Sequence, residues 1–195
     1  MNKEDTDSQA WLVIIRGLPG SGKSYIAQKL EALIGKEKTL ILDPDDIDFT
    51  SREYINFSAE LTRTNVDSIL HPYRFLRANA YAGIETGKLV VWNQAFTNQD
   101  LVHRTIVNLQ AHADEKSVKL HCLVVDVIVD PQLAKVRVES RVNAGGHTVN
   151  SDEFERFIRD YQPFHGYDYS MLTLSGESSV EESALKILEK VELKY

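Results

Sequence analysis

Cysteine is almost absent from this sequence, with a single example in 195 residues. One cysteine cannot form a disulfide bond within the chain, so a fold stabilised by internal disulfides is excluded. Cys122 lies in the apolar run LHCLVVDVIV, and we interpret it as a reduced thiol in the core. This use of cysteine is typical of proteins in a reducing cytosol.

Long apolar runs and an excess of positive charge are also missing. No apolar stretch approaches the roughly 20 residues that a membrane-spanning helix needs, and the N-terminus MNKEDTDSQA lacks the apolar core of a signal peptide. The formal net charge is −7, so no basic field draws the molecule toward nucleic acid or an anionic membrane. The sequence therefore favours a cytoplasmic protein that acts away from membranes, with residues 1–10 disordered.

What the sequence does contain is a regular alternation of strands and helices. A hydrophobic fraction of 43% and a charged fraction of 26% suit one globular domain over residues 1–195. The predicted strands are apolar on both faces, which indicates an α/β fold with a parallel sheet between two layers of helices. We predict strands at 11–17, 39–43, 88–93, 118–129 and 169–175, and helices after the first strand and at 58–86, 98–112, 131–142, 151–161 and 180–192.

The stretch GLPGSGKS at 17–24 lies between the first strand and an amphipathic helix. It matches G-x-x-x-x-G-K-[ST], in which glycines let backbone N–H groups surround a phosphate at a helix N-terminus, the lysine reaches the β- and γ-phosphates, and the serine can ligate Mg²⁺. The alternative is a glycine-rich turn with an incidental lysine, which the strand–loop–helix context disfavours. We predict a triphosphate site with ATP and Mg²⁺ as cofactors. Its predicted contacts are Gly17, Pro19, Gly20, Ser21, Gly22, Lys23, Ser24 and Tyr25.

A second signal is the group of aspartates at the end of the second predicted strand, in LDPDDIDF at 42–49. The carboxyl ends of parallel strands face the ligand crevice of an open sheet, so these side chains should face the transferred phosphate. A hydroxyl acceptor needs a carboxylate to take its proton as it attacks. We predict Asp45 as this catalytic base, with Asp46 as the second choice. The alternative is a solvated acidic turn in which an aspartate caps a helix.

Arginines in the segment VRVESRVNAGGHTVNSDEFERFIRD, at 136–160, form a third signal. Arg137 and Arg141 are four residues apart on one predicted helical face, and Arg156 lies in the next helix. Phosphoryl transfer develops negative charge on phosphate oxygens, which arginines on a mobile element can neutralise. The pair Gly145-Gly146 would supply a hinge, so we predict a catalytic lid at 136–160. The alternative is surface arginines that pair with nearby glutamates.

Together the three segments resemble the zeta-toxin and chloramphenicol-phosphotransferase-like group of P-loop kinases, which includes the kinase domain of phage polynucleotide kinase. GLPGSGKS is similar to the G-x-P-G-x-G-K-S form of that group, DPDDIDF resembles its strand-2 acid motif, and RVNAGGHTV resembles its lid. The resemblance covers about residues 11–163. It implies the P-loop NTPase fold with a five-stranded parallel sheet ordered 2-3-1-4-5, a helical lid, and Asp45 as the acid that deprotonates the acceptor.

Two positions depart from the pattern of that group. Relatives commonly end strand 3 with an aspartate, whereas VVWNQAFTN has Asn93 there. Because an amide lends no charge to Mg²⁺, we expect Asp45 or Asp46 to contribute more to metal binding. The predicted metal residues are Ser24 and Asp45. The chain also lacks the arginine that many relatives have just after Asp46, which disfavours an acceptor phosphate at that point.

Three functions are compatible with these motifs. The favoured one is an ATP-dependent kinase that phosphorylates a hydroxyl of a small molecule, such as a sugar nucleotide, a nucleoside or an antibiotic. The second is a polynucleotide 5′-hydroxyl kinase, which the acidic net charge disfavours. The third is a nucleotide-binding switch or interaction module with slow ATPase activity. The motifs leave the acceptor, the choice between ATP and GTP, and the number of subunits open.

Overall fold

A computed structural model describes residues 8–143 and 149–192, and leaves the side chains of residues 142 and 143 undescribed. Strands and helices alternate in it, as predicted. In chain order the elements are β1 (Ser8–Arg16), α1 (Lys23–Ile34), β2 (Thr39–Leu42), α2 (Arg52–Arg63), α3 (His71–Glu85), β3 (Leu89–Asn93), α4 (Gln99–Glu115), β4 (Val118–Ile128), α5 (Pro131–Asn143), α6 (Ser151–Asp160), β5 (Ser170–Ser175) and α7 (Val180–Lys190). Short 3₁₀ helices lie at Pro44–Asp46 and Ser68–Leu70.

The five strands form one parallel sheet in the order β2-β3-β1-β4-β5, which confirms the predicted P-loop NTPase fold. β1 is central, and its Ile14 pairs with Trp92 of β3 and with Val124 of β4. Parallel neighbours cannot be joined by a tight hairpin, so the chain returns through helices on the two faces. As a result the carboxyl ends of all five strands lie along the same edge of the sheet.

Helices cover both faces of the central strands. Ile14 and Val90 belong to a core shared with α3 and α4, whereas Ile15 and Val91 belong to a core shared with α1 and α7. Because neither face of β1 meets water from Leu12 onward, the sequence there is apolar at consecutive positions and does not alternate. A third, smaller cluster joins α5 to α6 and consists of Val129, Ala134, Val138 and Phe154.

The single long helix predicted at 58–86 is wrong, because the chain forms α2 and α3 with a turn and a short 3₁₀ helix between them. After α2, Asn65 adopts a φ of +57°, the left-handed conformation that asparagine tolerates. Asp67 then accepts a hydrogen bond from Ile69 N at 3.0 Å. Pro72 lies in the first turn of α3, where its missing N–H leaves no hydrogen bond unmade. These local signals outweigh the apolar periodicity that suggested one helix.

The prediction for the N-terminus also needs a correction. Residues 8–10, expected to be disordered, form the start of β1, where Ser8 pairs with Val118 of β4. This pairing is possible because β4 is longer than β3, the other neighbour of β1, and runs alongside β1 as far as its first residue. Residues 1–7 lie outside the described residues. Within the part of the chain that the structure describes, no helix is long and apolar enough to cross a membrane.

Candidate active site

The loop between β1 and α1 has the conformation that its glycines allow. Gly20 and Gly22 have φ of +83° and +99°, in the region where any other residue is strained. A Cβ on Gly20 would collide with the carbonyl group of Ala134 in α5, whose carbon would lie only 3.0 Å away, whereas a Cβ on Gly22 would meet nothing within 4 Å. The loop is therefore packed against α5 on one side and open at Gly22, where a phosphate has room.

Lys23, the first residue of α1, is buried and turned back over the loop. Its Nζ donates hydrogen bonds to the carbonyl oxygens of Gly17 at 2.9 Å and Leu18 at 3.0 Å. Burial lowers the pKa of the Lys23 ammonium from 10.5 to about 8, and the charges of Asp43 and Asp45 oppose that shift. An anion in the loop would supply the opposite charge that a buried ammonium requires.

The other predicted nucleotide contacts surround this lysine. Ser21 is buried, and its Oγ has no hydrogen-bond partner among the described residues. Pro19 is half-buried at the crest of the loop. Tyr25 differs from them, because its side chain is 63% exposed in the first turn of α1. The structure thus gathers the predicted contacts in one loop, with Tyr25 at the surface beside it.

Side chains from three elements meet next to Lys23. Asn93, at the end of β3, donates from Nδ2 to Ser24 Oγ at 3.0 Å and also to a carboxylate oxygen of Asp43, which follows β2. The other carboxylate oxygen of Asp43 accepts a hydrogen bond from Asp45 N at 3.0 Å. Asn93 and Asp43 are both buried, and burial raises the pKa of the Asp43 carboxyl above its ordinary value. Asn93 therefore connects the serine of the loop to the acid that ends the second strand.

This group of side chains fits a magnesium ion. The hydroxyl of Ser24 and the carboxylate of Asp43 are oxygen ligands of the kind that Mg²⁺ prefers. The Oδ1 atom of Asn93 is buried and has no hydrogen-bond partner among the described residues, so a further oxygen is available. No group of three or more His, Cys, Asp or Glu side chains capable of holding a metal occurs in residues 8–143 and 149–192. The hydroxyl, carboxylate and amide oxygens present here would leave the rest of a Mg²⁺ shell to phosphates and water.

The two predicted bases lie in the 3₁₀ helix Pro44–Asp46, and the side chains of Asp45 and Asp46 are exposed. The charge of Asp45 opposes the lowering of the Lys23 pKa, so this carboxylate contributes to the electrostatics of the loop. The acid that connects to Ser24 is nevertheless Asp43, and the metal role predicted for Asp45 fits Asp43 better. The feature of the sequence that could have identified Asp43 is its position relative to β2. It lies two residues after Ile41, whose side chain packs on the α1 face of the sheet.

Arg137, the first predicted lid arginine, is engaged with backbone in this structure. Its Nη1 donates to the carbonyl oxygens of Gly176 at 2.8 Å and Gly20 at 3.4 Å. Gly176 follows β5 and packs closely, since a Cβ there would lie 2.7 Å from Ser21 O. Arg137 therefore holds α5 against the loop and against the turn after β5.

The other two lid arginines differ from Arg137. The positive charge of Arg141 adds to the lowering of the Lys23 pKa, so this arginine contributes to the electrostatics of the loop. Arg156 is exposed on α6, which packs on α5 through the small apolar cluster of the two helices. The predicted hinge residues Gly145 and Gly146 lie outside the described residues.

Aromatic side chains from the segments that follow the acidic turn form a cluster. Tyr54 of α2 contacts Phe49 and Phe75 edge to face, with ring centroids 5.0 and 5.3 Å apart. Phe49 is 53% exposed, and α3 packs against the 3₁₀ helix that contains Asp45. An apolar, partly exposed cluster therefore lies beside the 3₁₀ helix that contains Asp45.

One family model matches most of the chain. The family model AAA_33, described as an AAA domain, matches residues 12–164. A search among curated proteins finds no match.

Several solved structures share the fold. A protein from Chloroflexus aurantiacus aligns over 96% of this chain and 100% of its own with 16% identity and a TM-score of 0.66. A sugar kinase from a Janibacter species aligns over 94% and 95% with 16% identity and a TM-score of 0.59. A fungal RNA kinase aligns over 94% and 85% with 13% identity and a TM-score of 0.59. At these identities the similarity shows the fold.

Proposed function

This chain belongs to the AAA_33 family of AAA domains, and on that premise we propose that it is an ATP-dependent kinase. It transfers the γ-phosphate of ATP to a hydroxyl group of a small molecule. The observation that supports this most directly is the connection from Ser24 through Asn93 to Asp43, next to Lys23. A P-loop alone binds a triphosphate. A kinase also needs acids at the end of the neighbouring strand, and this segment offers the buried Asp43 for the metal and the exposed Asp45 for the acceptor.

The nucleotide phosphates lie in the loop from Gly17 to Ser24. Backbone N–H groups and the N-terminus of α1 surround them, and the open space at Gly22 accommodates a phosphate. The Lys23 ammonium leaves its two carbonyl partners for the β- and γ-phosphates, because charge-assisted bonds to an anion are stronger than bonds to neutral carbonyls.

The hydroxyl of Ser24 and the carboxylate of Asp43 would hold Mg²⁺, and Asn93 orients both side chains. When bound, the ion neutralises negative charge on the phosphate oxygens. The amide of Asn93 contributes no charge, so Asp43 supplies the negative charge on the protein side.

In the transfer step the acceptor oxygen forms a bond to the γ-phosphorus as the bond from that phosphorus to the ADP oxygen breaks. The hydroxyl proton passes to the carboxylate of Asp45, and ADP leaves. Asp45 suits this role because it is exposed to an incoming acceptor. Asp43 does not, because it is buried and already accepts hydrogen bonds from Asn93 and from the backbone of Asp45. Asp46, one residue further along, is the second choice.

Arginines complete the site from the side of α5 and α6. Arg141 and Arg156 approach the phosphate oxygens on which charge develops. Arg137 keeps the loop in register with α5 through Gly20, which positions the other two. Within its family we assign the chain to the zeta-toxin and chloramphenicol-phosphotransferase-like group, on the sequence resemblance of its P-loop, strand-2 and lid segments. The free thiol of Cys122 suits a cytoplasmic location.

The test is to incubate the purified protein with ATP labelled in its γ-phosphate and a fractionated metabolite extract, and to identify the labelled product by mass. Transfer of label to a small hydroxyl compound supports the proposal. The matched control is Lys23→Met, which should transfer nothing. Label on a 5′-hydroxyl oligonucleotide would instead establish a polynucleotide kinase. Release of inorganic phosphate that no fraction stimulates would contradict the kinase assignment and favour a slow ATPase switch.

A further inference from the structure

Arg16, the last residue of β1, is fully buried immediately before the P-loop. Its nearest carboxylate is Asp126, opposite it on β4, at 3.9 Å from Nη1. The Nε and Nη1 atoms have no hydrogen-bond partner among the described residues. A buried charge with two unsatisfied donors contributes little to stability. Its place in the fold therefore needs an explanation other than stability.

Residues 161–164 follow α6 and form a segment that we name the strap. The close contacts of Arg16 are with this strap. Arg16 Nη2 donates to Gln162 O at 2.5 Å. The guanidinium carbon lies 4.4 Å from the centre of the Tyr161 ring and 5.8 Å from that of Phe164, a stacking that is strongest away from water. The hydroxyl of Tyr161 donates in turn to Asp126. Arg16 and Asp126, which lie on two adjacent strands, thus both bind the strap.

The strap is also bonded to the segment after β3. Gln162 N donates to Thr97 O at 2.8 Å, and the Gln162 side chain accepts a hydrogen bond from Gln99 N at 3.2 Å. The strap is therefore fixed to the ends of β1, β3 and β4, close to the loop that holds the nucleotide. The helix that precedes it is held less firmly, since Phe154 is the only residue of α6 that is buried.

We propose that Arg16 is a positioning residue for phosphoryl transfer. By clamping the strap it fixes the C-terminal end of α6, and so the place from which Arg156 reaches the transferred phosphate. This inference rests on the proposed function, in which Arg156 approaches that phosphate. Arg156 lies about 7–8 Å along the helix from Tyr161, so a shift of the strap moves it by a similar amount. A displacement of about 1 Å can lower a rate about a hundredfold.

The first experiment measures hydrogen exchange in Arg16→Lys without nucleotide. Lysine keeps the positive charge but cannot stack flat on Tyr161 while donating to Gln162 O. We expect amides at 157–164 to exchange about tenfold faster or more, while exchange in α1 stays unchanged. The matched control is Arg104→Lys, because Arg104 is an exposed arginine of α4 and its replacement should change neither region. Unchanged exchange at 157–164 in Arg16→Lys would overturn the clamp.

The second experiment separates positioning from a purely structural role. Hydrolysis of Mg-ATP, with water as acceptor, should be about 10- to 100-fold slower in Arg16→Lys, whereas the Kd for a nonhydrolysable ATP analogue should change less than about threefold. In an Arg156→Ala background, Arg16→Lys should cause no further loss of rate. A further loss of the same size would show that Arg16 does not act through Arg156 and would overturn the proposal.

Failure of the underlying function is distinguishable from failure of this inference. If Arg156→Ala alone hydrolyses Mg-ATP at the wild-type rate, the role proposed for Arg156 is wrong, and faster exchange in Arg16→Lys would establish only the clamp. If Arg16→Lys does not fold, Tyr161→Phe replaces it, because it removes only the hydroxyl that bonds to Asp126. That variant should exchange its strap amides about threefold faster or more, and wild-type exchange there would overturn the clamp.

Discussion

Two glycines of the P-loop allow folding and nucleotide binding to be perturbed separately. Gly22→Ala and Gly20→Ala both place a side chain at positive φ, which costs about 1–2 kcal/mol each. At Gly20 the new methyl also collides with the backbone of Ala134, held in place by the apolar contacts between α5 and α6. Overpacking of this kind costs a further ~1–3 kcal/mol. We therefore expect losses of about 1–2 kcal/mol for Gly22→Ala and about 2–5 kcal/mol for Gly20→Ala.

The effects on nucleotide binding should follow the opposite order. The methyl group of Gly22→Ala occupies the open space that a phosphate needs. Loss of one or two charge-assisted hydrogen bonds there costs about 1.5–3 kcal/mol each, so the Kd for ATP should rise by at least about tenfold. In folded Gly20→Ala the same space stays open, and the Kd should rise less.

Urea unfolding gives the free energies, and titration with a nonhydrolysable ATP analogue gives the Kd values. Both are measured in wild type, Gly20→Ala and Gly22→Ala, at a temperature where all three are folded. The reasoning would be refuted if Gly22→Ala destabilised the protein as much as Gly20→Ala, because the collision with α5 would then be absent. It would also be refuted if Gly22→Ala bound the nucleotide as tightly as wild type.

Three further predictions concern the charged and amide side chains of the site. Burial lowers the pKa of Lys23 to about 8, below the 10.5 of the unfolded chain, so between about pH 8 and about pH 10.5 the unfolded state binds more protons. The free energy of unfolding without nucleotide should therefore rise over that range relative to Lys23→Met; a constant difference between the two proteins would contradict this. Asn93→Asp places a second carboxylate beside Asp43 and should lower the free energy of unfolding by about 1–3 kcal/mol without metal. Added Mg²⁺ should restore that loss, as measured by urea unfolding. If the variant had the same unfolding curve with and without Mg²⁺, the result would count against the metal site. Asp45→Asn should lower phosphotransfer by about 10²–10⁴ and leave stability within about 0.5 kcal/mol, as measured by product formation and urea unfolding; full turnover would exclude Asp45 as the base.

Much of the fold could be predicted because the relevant signals are local. The apolar runs around Ile14 and Val124 mark strands buried on both faces, and GLPGSGKS identifies its own structural context between a strand and a helix. The order of the strands came from the resemblance to a family. The prediction of one long helix at 58–86 was wrong. The apolar periodicity there fits one helix or two, and the turn at Asn65 and the proline at the start of α3 favour two.

The candidate site was predicted less completely. The sequence has four aspartates within the six residues that follow β2. Their spacing alone does not show which of them binds metal and which acts as the base. The alternation of side chains along β2 and into Asp43 turns that acid toward α1 and Ser24, and leaves Asp45 exposed in a 3₁₀ helix. Arg137 was expected over the phosphate, yet its guanidinium bonds to the carbonyl oxygens of Gly20 and Gly176.

By itself the sequence determined the class of fold, the loop that suits a triphosphate and the region that contains the acids. These follow from periodicity and from motifs whose residues are neighbours in the chain, so each segment contains its own information. Only the tertiary structure decided which distant side chains meet: Asn93 with Ser24, Arg137 with Gly176, and Arg16 with the strap. Such contacts depend on strand order and helix packing, where a shift of one residue or about 1 Å exchanges one partner for another.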